Sequence, residues 1–136
     1  MAVKKKVFIS FDFDNDQALK NLLIGQSKLP DSPFEIIDGS LKEAAPKKDW
    51  IEKAKSKIKA SDTLIVMLGT KTFEAPGVLK EVKIAKQLKV KIYQIFGYQE
   101  KDCPGIKGAG PLYGWTWDNL NALLPEMPQY LKYQHC

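Results

Sequence analysis

The chain has 136 residues, 44% hydrophobic and 27% charged, with a net charge of +5 carried entirely by lysine. That length suits one well-filled core rather than two, and no apolar run reaches the ~18 residues of a membrane span. Without arginine, the favoured bidentate reader of guanine and phosphate, specific nucleic-acid recognition is a poor fit, and the lysines of 47–59 read as a solvated helix face.

In chain order, Lys6–Phe11 predicts a first strand, rich in β-branched and aromatic residues. Asp14 or Asn15 is placed to cap a helix whose apolar positions are Ala18, Leu19, Leu22 and Leu23. Pro30 and Pro33 break the chain before a short strand, Phe34–Ile37, which runs into Asp38-Gly39-Ser40. After Pro46 a second helix turns Trp50, Ile51, Ala54 and Ile58 inward. Leu64–Leu68 is apolar without alternation and stops at Gly69, the pattern of a strand covered on both faces. Pro76 suits the first turn of a third helix, with Val78, Val82, Ala85 and Leu88 inward, and Val90–Phe96 gives a fourth strand. Gln99–Gly114, with four glycines and two prolines, reads as an irregular loop. Trp115–Leu120 starts a last short helix, with Thr116 or Asp118 near its cap.

Strand and helix alternate, so right-handed crossovers predict an α/β fold: a flavodoxin-like, open, doubly wound parallel sheet of four to five strands with helices on both faces. Residues 1–136 read as one domain, with its core over 4–97 and the loop and short helix over 98–136. In that strand order the loops after Phe11, Asp38 and Gly69 leave one edge of the sheet side by side, at the crevice where ligands of such sheets bind. Asp12, Asp14, Asp38, Ser40, Thr70, Thr72 and Glu81 are then candidates to line it.

Several chemistries are disfavoured. Neither 10–16 nor 69–77 matches a phosphate-cradling glycine motif. Asp12-Phe13-Asp14 follows a strand as a phosphotransfer aspartate would, yet no second acidic cluster follows the third or fourth strand. Asp14 and Asp16 are more simply helix-favouring acids. The only histidine is His135, which argues against a serine triad and a histidine-based metal site. Cys103 and Cys136 lack metal or redox spacing and read as reduced thiols of a cytoplasmic protein, with no metal expected. Cleavage of the N-glycosidic bond of a cationic nicotinamide riboside asks for least. The leaving group departs neutral, so one carboxylate beside the ribose suffices to stabilise the oxocarbenium-like transition state. Glu81 is placed for that role, although an acid near a helix start is also favoured by the helix dipole alone.

Lys6-Val7-Phe8-Ile9-Ser10-Phe11, Asp38-Gly39-Ser40-Leu41, the run Ile58–Gly69, Thr72-Phe73 with Val78–Val82, and the aromatic stretch Gly110–Leu120 occur in order. Together they resemble the Toll/interleukin-receptor (TIR) family, in its prokaryotic TIR-like branch of the MTH and Thoeris type, over roughly residues 4 to 120. Where that family carries a tryptophan four residues before its glutamate, this chain has Gly77. The resemblance implies that Glu81 is the catalytic glutamate of an NAD-consuming enzyme. It implies that Phe11 and Asp12 border the nucleotide, with Ser40 and Thr70 at the sides of the cleft beside Asp38, Gly69 and Thr72. NAD would be a substrate rather than a cofactor. The activity would be that of an NAD glycohydrolase or ADP-ribosyl cyclase, making an ADP-ribose-derived signal for a nucleotide-sensing effector in anti-phage defence. Homo-oligomers through TIR-like surfaces are implied as well, with a non-catalytic TIR-like interaction module as the alternative to the enzyme. A nucleoside-deoxyribosyltransferase-like enzyme, sharing glycosidic cleavage and a similar sheet, is the third reading.

Overall fold

A computed structural model describes residues 2–39, 47–98, 103–124 and 127–128. In chain order the elements are β1 (Ala2–Val3), β2 (Lys5–Ser10), α1 (Gln17–Ser27), β3 (Phe34–Gly39), α2 (Lys47–Lys59) and β4 (Thr63–Leu68). A 3-10 turn (Thr72–Glu74) then leads into α3 (Pro76–Gln87), β5 (Lys91–Phe96), β6 (Leu112–Gly114), α4 (Trp117–Leu123) and β7 (Met127–Pro128).

Five strands pair in parallel in the order β3-β2-β4-β5-β6. This is the flavodoxin-like, doubly wound arrangement predicted above. All six residues of β4 are buried. Strand alternation sends Leu64, Val66 and Leu68 to one face, with Ala54 and Ile58 of α2 and Val78, Val82 and Ala85 of α3. Ile65 and Met67 go to the other face, with Leu19 and Leu23 of α1 and Leu120 of α4. Each such fully covered aliphatic side chain contributes about 1.5–3 kcal/mol, which is why the unbroken apolar run sits at the centre of the sheet.

Entry to β4 is fixed by Asp62. Its N–H donates to the Lys6 carbonyl at 2.8 Å, and its carboxylate accepts from the Lys6 N–H at 2.8 Å, across 56 positions. Between β2 and β3 the register slips, with Val7 opposite Ile36 but Phe8 opposite Asp38.

Four expectations need correction. The residue preceding α1 is Asp16, not Asp14 or Asn15, because the turn begins at the Asp12 carbonyl, which accepts from both the Asn15 and Asp16 N–H groups. Ala18 and Leu22 face outward, Leu22 at 59% exposure; α1 meets the sheet along the narrower line of Leu19 and Leu23. Leu88 is exposed because α3 closes just before it. The 99–114 segment is not loop throughout: Leu112–Gly114 forms β6, the fifth strand, alongside Gln94–Phe96.

The predicted last helix is present, with the Thr116 hydroxyl accepting from the Asn119 N–H at 3.0 Å. A separate two-stranded pairing, β1 antiparallel to β7, lies outside the predicted elements.

Candidate functional site

At the carboxyl edge of the sheet the ends of β2 and β4 lie side by side, Ser10 opposite Val66. Over this edge runs the start of α3. Its core-facing line is Val78, Glu81, Val82 and Ala85, the i, i+3, i+4, i+7 stripe of an amphipathic helix, so the backbone aims an acidic side chain at the sheet. Glu81 is 1% exposed and Ser10 is wholly buried. The Ser10 hydroxyl donates to Glu81 Oε1 at 2.7 Å, within the preferred range for an O–H···O bond. A carboxyl group in such a place is costly unless hydrogen-bonded. Among the described residues no buried side-chain polar atom lacks a partner.

The other expected residues divide by the face they occupy. Phe11 is buried on the α1/α4 side, stacked on Phe13 with ring centroids 5.9 Å apart and under Lys20 Nζ at 5.6 Å. Its ring is therefore on the opposite face of the sheet from Glu81. Asp12 is buried within its own turn, its carboxylate accepting from the Asn15 side chain at 2.7 Å and from the Asp14 N–H at 3.3 Å. Asp38 lies at the end of β3 with its backbone opposite Phe8, and Ser40 lies outside the described residues. Thr70 is exposed, whereas Gly69 and Thr72 are buried.

Gly69 and Thr72 belong to a second polar cluster. The Gly69 N–H donates to Thr72 Oγ1 at 2.7 Å, and that hydroxyl lies 3.3 Å from Asp16 Oδ2. The Tyr98 hydroxyl reaches Asp16 Oδ1 at 3.4 Å. Gly69 leaves room for this carboxylate: a Cβ at this position would collide with Asp16 Oδ2, so the Asp16 side chain would have to shift. Burial, followed by the negative charge of Asp16, its hydrogen bond and the Cys103 sulfur, holds the Tyr98 phenol above its ordinary pKa of 10.0. Asp16 thus ties the starts of α1 and the 3-10 turn to the chain beyond β5.

The sequence reading missed Ser10, Asp16 and Tyr98 as members of these clusters. Ser10 carried a usable signal: it is the one small polar residue in an otherwise apolar stretch from Val7 to Phe11. Asp16 was legible only as a helix-start acid. Tyr98 had no signal beyond its place after a strand. Among the described residues, no three His, Cys, Asp or Glu side chains gather as a metal would need, and no helix is long and apolar enough to cross a membrane.

No curated protein sequence matches the chain significantly. Among solved structures, a crystal structure of a prokaryotic SEFIR domain matches with a TM-score of 0.47 and 15% identity, covering 97% of this chain and 91% of that one. The family model described as Thoeris protein ThsB, TIR-like domain, matches residues 8–101, from the middle of β2 past the end of β5. Since that match takes in both Ser10 and Glu81 and well over half of the sequence, the chain belongs to the ThsB TIR-like domain family.

Proposed function

We propose that this protein is a TIR-like NAD-cleaving enzyme whose working carboxylate is Glu81, producing an ADP-ribose-derived signal in anti-phage defence. The observation that carries the reading is the placement of Glu81. An acidic side chain stands on the apolar stripe of a helix, 1% exposed, and bonds to the end of a central strand at the carboxyl edge of the sheet. Membership of the Thoeris family supports the biological context.

In the reaction, the bond between ribose C1′ and the nicotinamide nitrogen breaks. Its electron pair goes to the ring nitrogen, and nicotinamide leaves neutral. The positive charge that develops on the ribose is stabilised by the Glu81 carboxylate. Water then adds its oxygen to C1′ and releases a proton, giving ADP-ribose; an internal nucleophile of the same nucleotide gives a cyclic product instead. NAD is a substrate here, and the chain's own residues bind and orient it. Asp38, Ser40, Gly69, Thr70 and Thr72 are proposed to flank the nucleotide. Asp12 and Phe11 act less directly, by shaping the turn beneath it.

The test is incubation of concentrated protein with NAD, under conditions that favour self-association, with nicotinamide release followed for wild type and Glu81→Gln. Loss of one electrostatic stabiliser of this kind costs roughly 100- to 1000-fold in rate. Release that survives the substitution removes Glu81 from the mechanism, and no release from wild type moves the function to the second reading.

That second reading is a non-catalytic TIR-like module that works by homotypic association or by binding an effector. It is favoured by one observation: Phe73 and Leu79 are each 40% exposed, on the 3-10 turn and the adjoining start of α3.

A further inference from the structure

We propose that Ser10 is a positioning residue, holding the Glu81 carboxylate in its working orientation; the inference rests on the reading of Glu81 as that carboxylate. A glutamate on a helix turns about three side-chain torsions, and the last is a broad, weakly preferred one. Apolar packing around a buried side chain is non-directional, so packing by itself cannot set the plane of a carboxylate. The Ser10 hydroxyl can. It donates to Oε1 at 2.7 Å across 71 positions of sequence.

The donor itself is immobile. Ser10 closes β2, a strand paired on both sides, with β3 at one edge and β4 at the other. Both partners are at least 99% buried, so water does not compete for the bond. With Oε1 fixed to the sheet, the direction of the second oxygen follows from the carboxylate plane, and a reacting group must be held to within about 0.5 Å of its productive position. In this reading the Ser10 hydroxyl bonds to the Glu81 carboxylate rather than to the nucleotide. It acts through Glu81.

Two measurements test this. First, unfolding of wild type, Ser10→Ala, Glu81→Met and the double variant reads the bond without any activity. Ser10→Ala should change the unfolding constant by about 10- to 150-fold in wild type, the loss expected for a hydrogen bond to a charged group, and by less than about 3-fold once Glu81 is methionine. Equal effects in both backgrounds overturn the proposal whatever the activity. Second, nicotinamide release should fall about 10- to 100-fold in kcat for Ser10→Ala with KM within about 3-fold. Ser10→Thr, which restores the hydroxyl on a strand-compatible side chain, should recover most of that loss. A fall confined to KM, or a folded Ser10→Thr no better than alanine, overturns the positioning role. A wild type that releases no nicotinamide while the unfolding cycle still shows coupling refutes the NAD reading and, with it, any catalytic role for the bond. The two failures are therefore separable.

Discussion

Replacing Gln94 with leucine removes a polar clamp while keeping the side chain's bulk. Gln94 points from β5 toward the α2/α3 side and is 1% exposed. Its amide nitrogen donates to the Ile106 carbonyl at 3.2 Å and the Gly110 carbonyl at 2.8 Å, and its oxygen accepts from the Ile106 N–H at 2.7 Å. Leucine offers none of these. Gly110 is exposed, so water can take over at its carbonyl; Ile106 is half-buried and packed against the core, so its N–H and carbonyl lose more. At about 1–2 kcal/mol for each of those two groups, the variant should lose about 2–4 kcal/mol. For a chain of this size that lowers Tm by about 6–12 °C. Urea unfolding should show a lower midpoint with unchanged slope, and amide exchange at Ile106 should accelerate. A loss under about 1 kcal/mol with Ile106 still protected would refute the clamp.

Gly69→Ala should destabilise the protein by about 1–3 kcal/mol, the usual cost of overpacking, since the added Cβ collides with the Asp16 carboxylate; denaturant unfolding measures it. Leu23→Ala should cost about 2–5 kcal/mol whereas Leu22→Lys stays within about 0.5 kcal/mol, because the first side chain is buried and its neighbour is 59% exposed. The Tyr98 phenol is raised above 10.0 by burial and by Asp16, so the folded state holds that proton more tightly than the unfolded state. Its contribution to stability is present below pH 10 and is lost as pH rises through the folded value. Tyr98→Phe should therefore flatten the alkaline decline in Tm.

Much of the scaffold was legible because local pattern and burial agree. The unbroken Leu64–Leu68 run could only be a strand covered on both faces, and Trp50, Ala54 and Ile58 fall on one buried line of α2. The Thr116 cap follows from a hydroxyl one residue before a helix. Short β6 was hidden because three residues that follow a proline and end on a glycine carry no periodicity, and its pairing depends on a neighbour strand rather than on its own sequence. The candidate site was half visible. Glu81 was singled out by its place after β4, yet its bond to Ser10 spans 71 positions and only the assembled sheet brings the two together. Phe11 lies one residue past a strand end, where alternation alone decides which face a side chain takes, and it took the face away from Glu81.

The reach from Lys6 to Asp62 also governs how the molecule is born. During synthesis at about 5–20 residues per second, the 56 positions separating them take about 3–11 s to emerge. Throughout that interval Val7, Phe8 and Ile9 present an apolar strand with its β4-side hydrogen-bonding edge open, the very template that promotes aggregation. Nascent chains should therefore lean on a chaperone until β4 arrives.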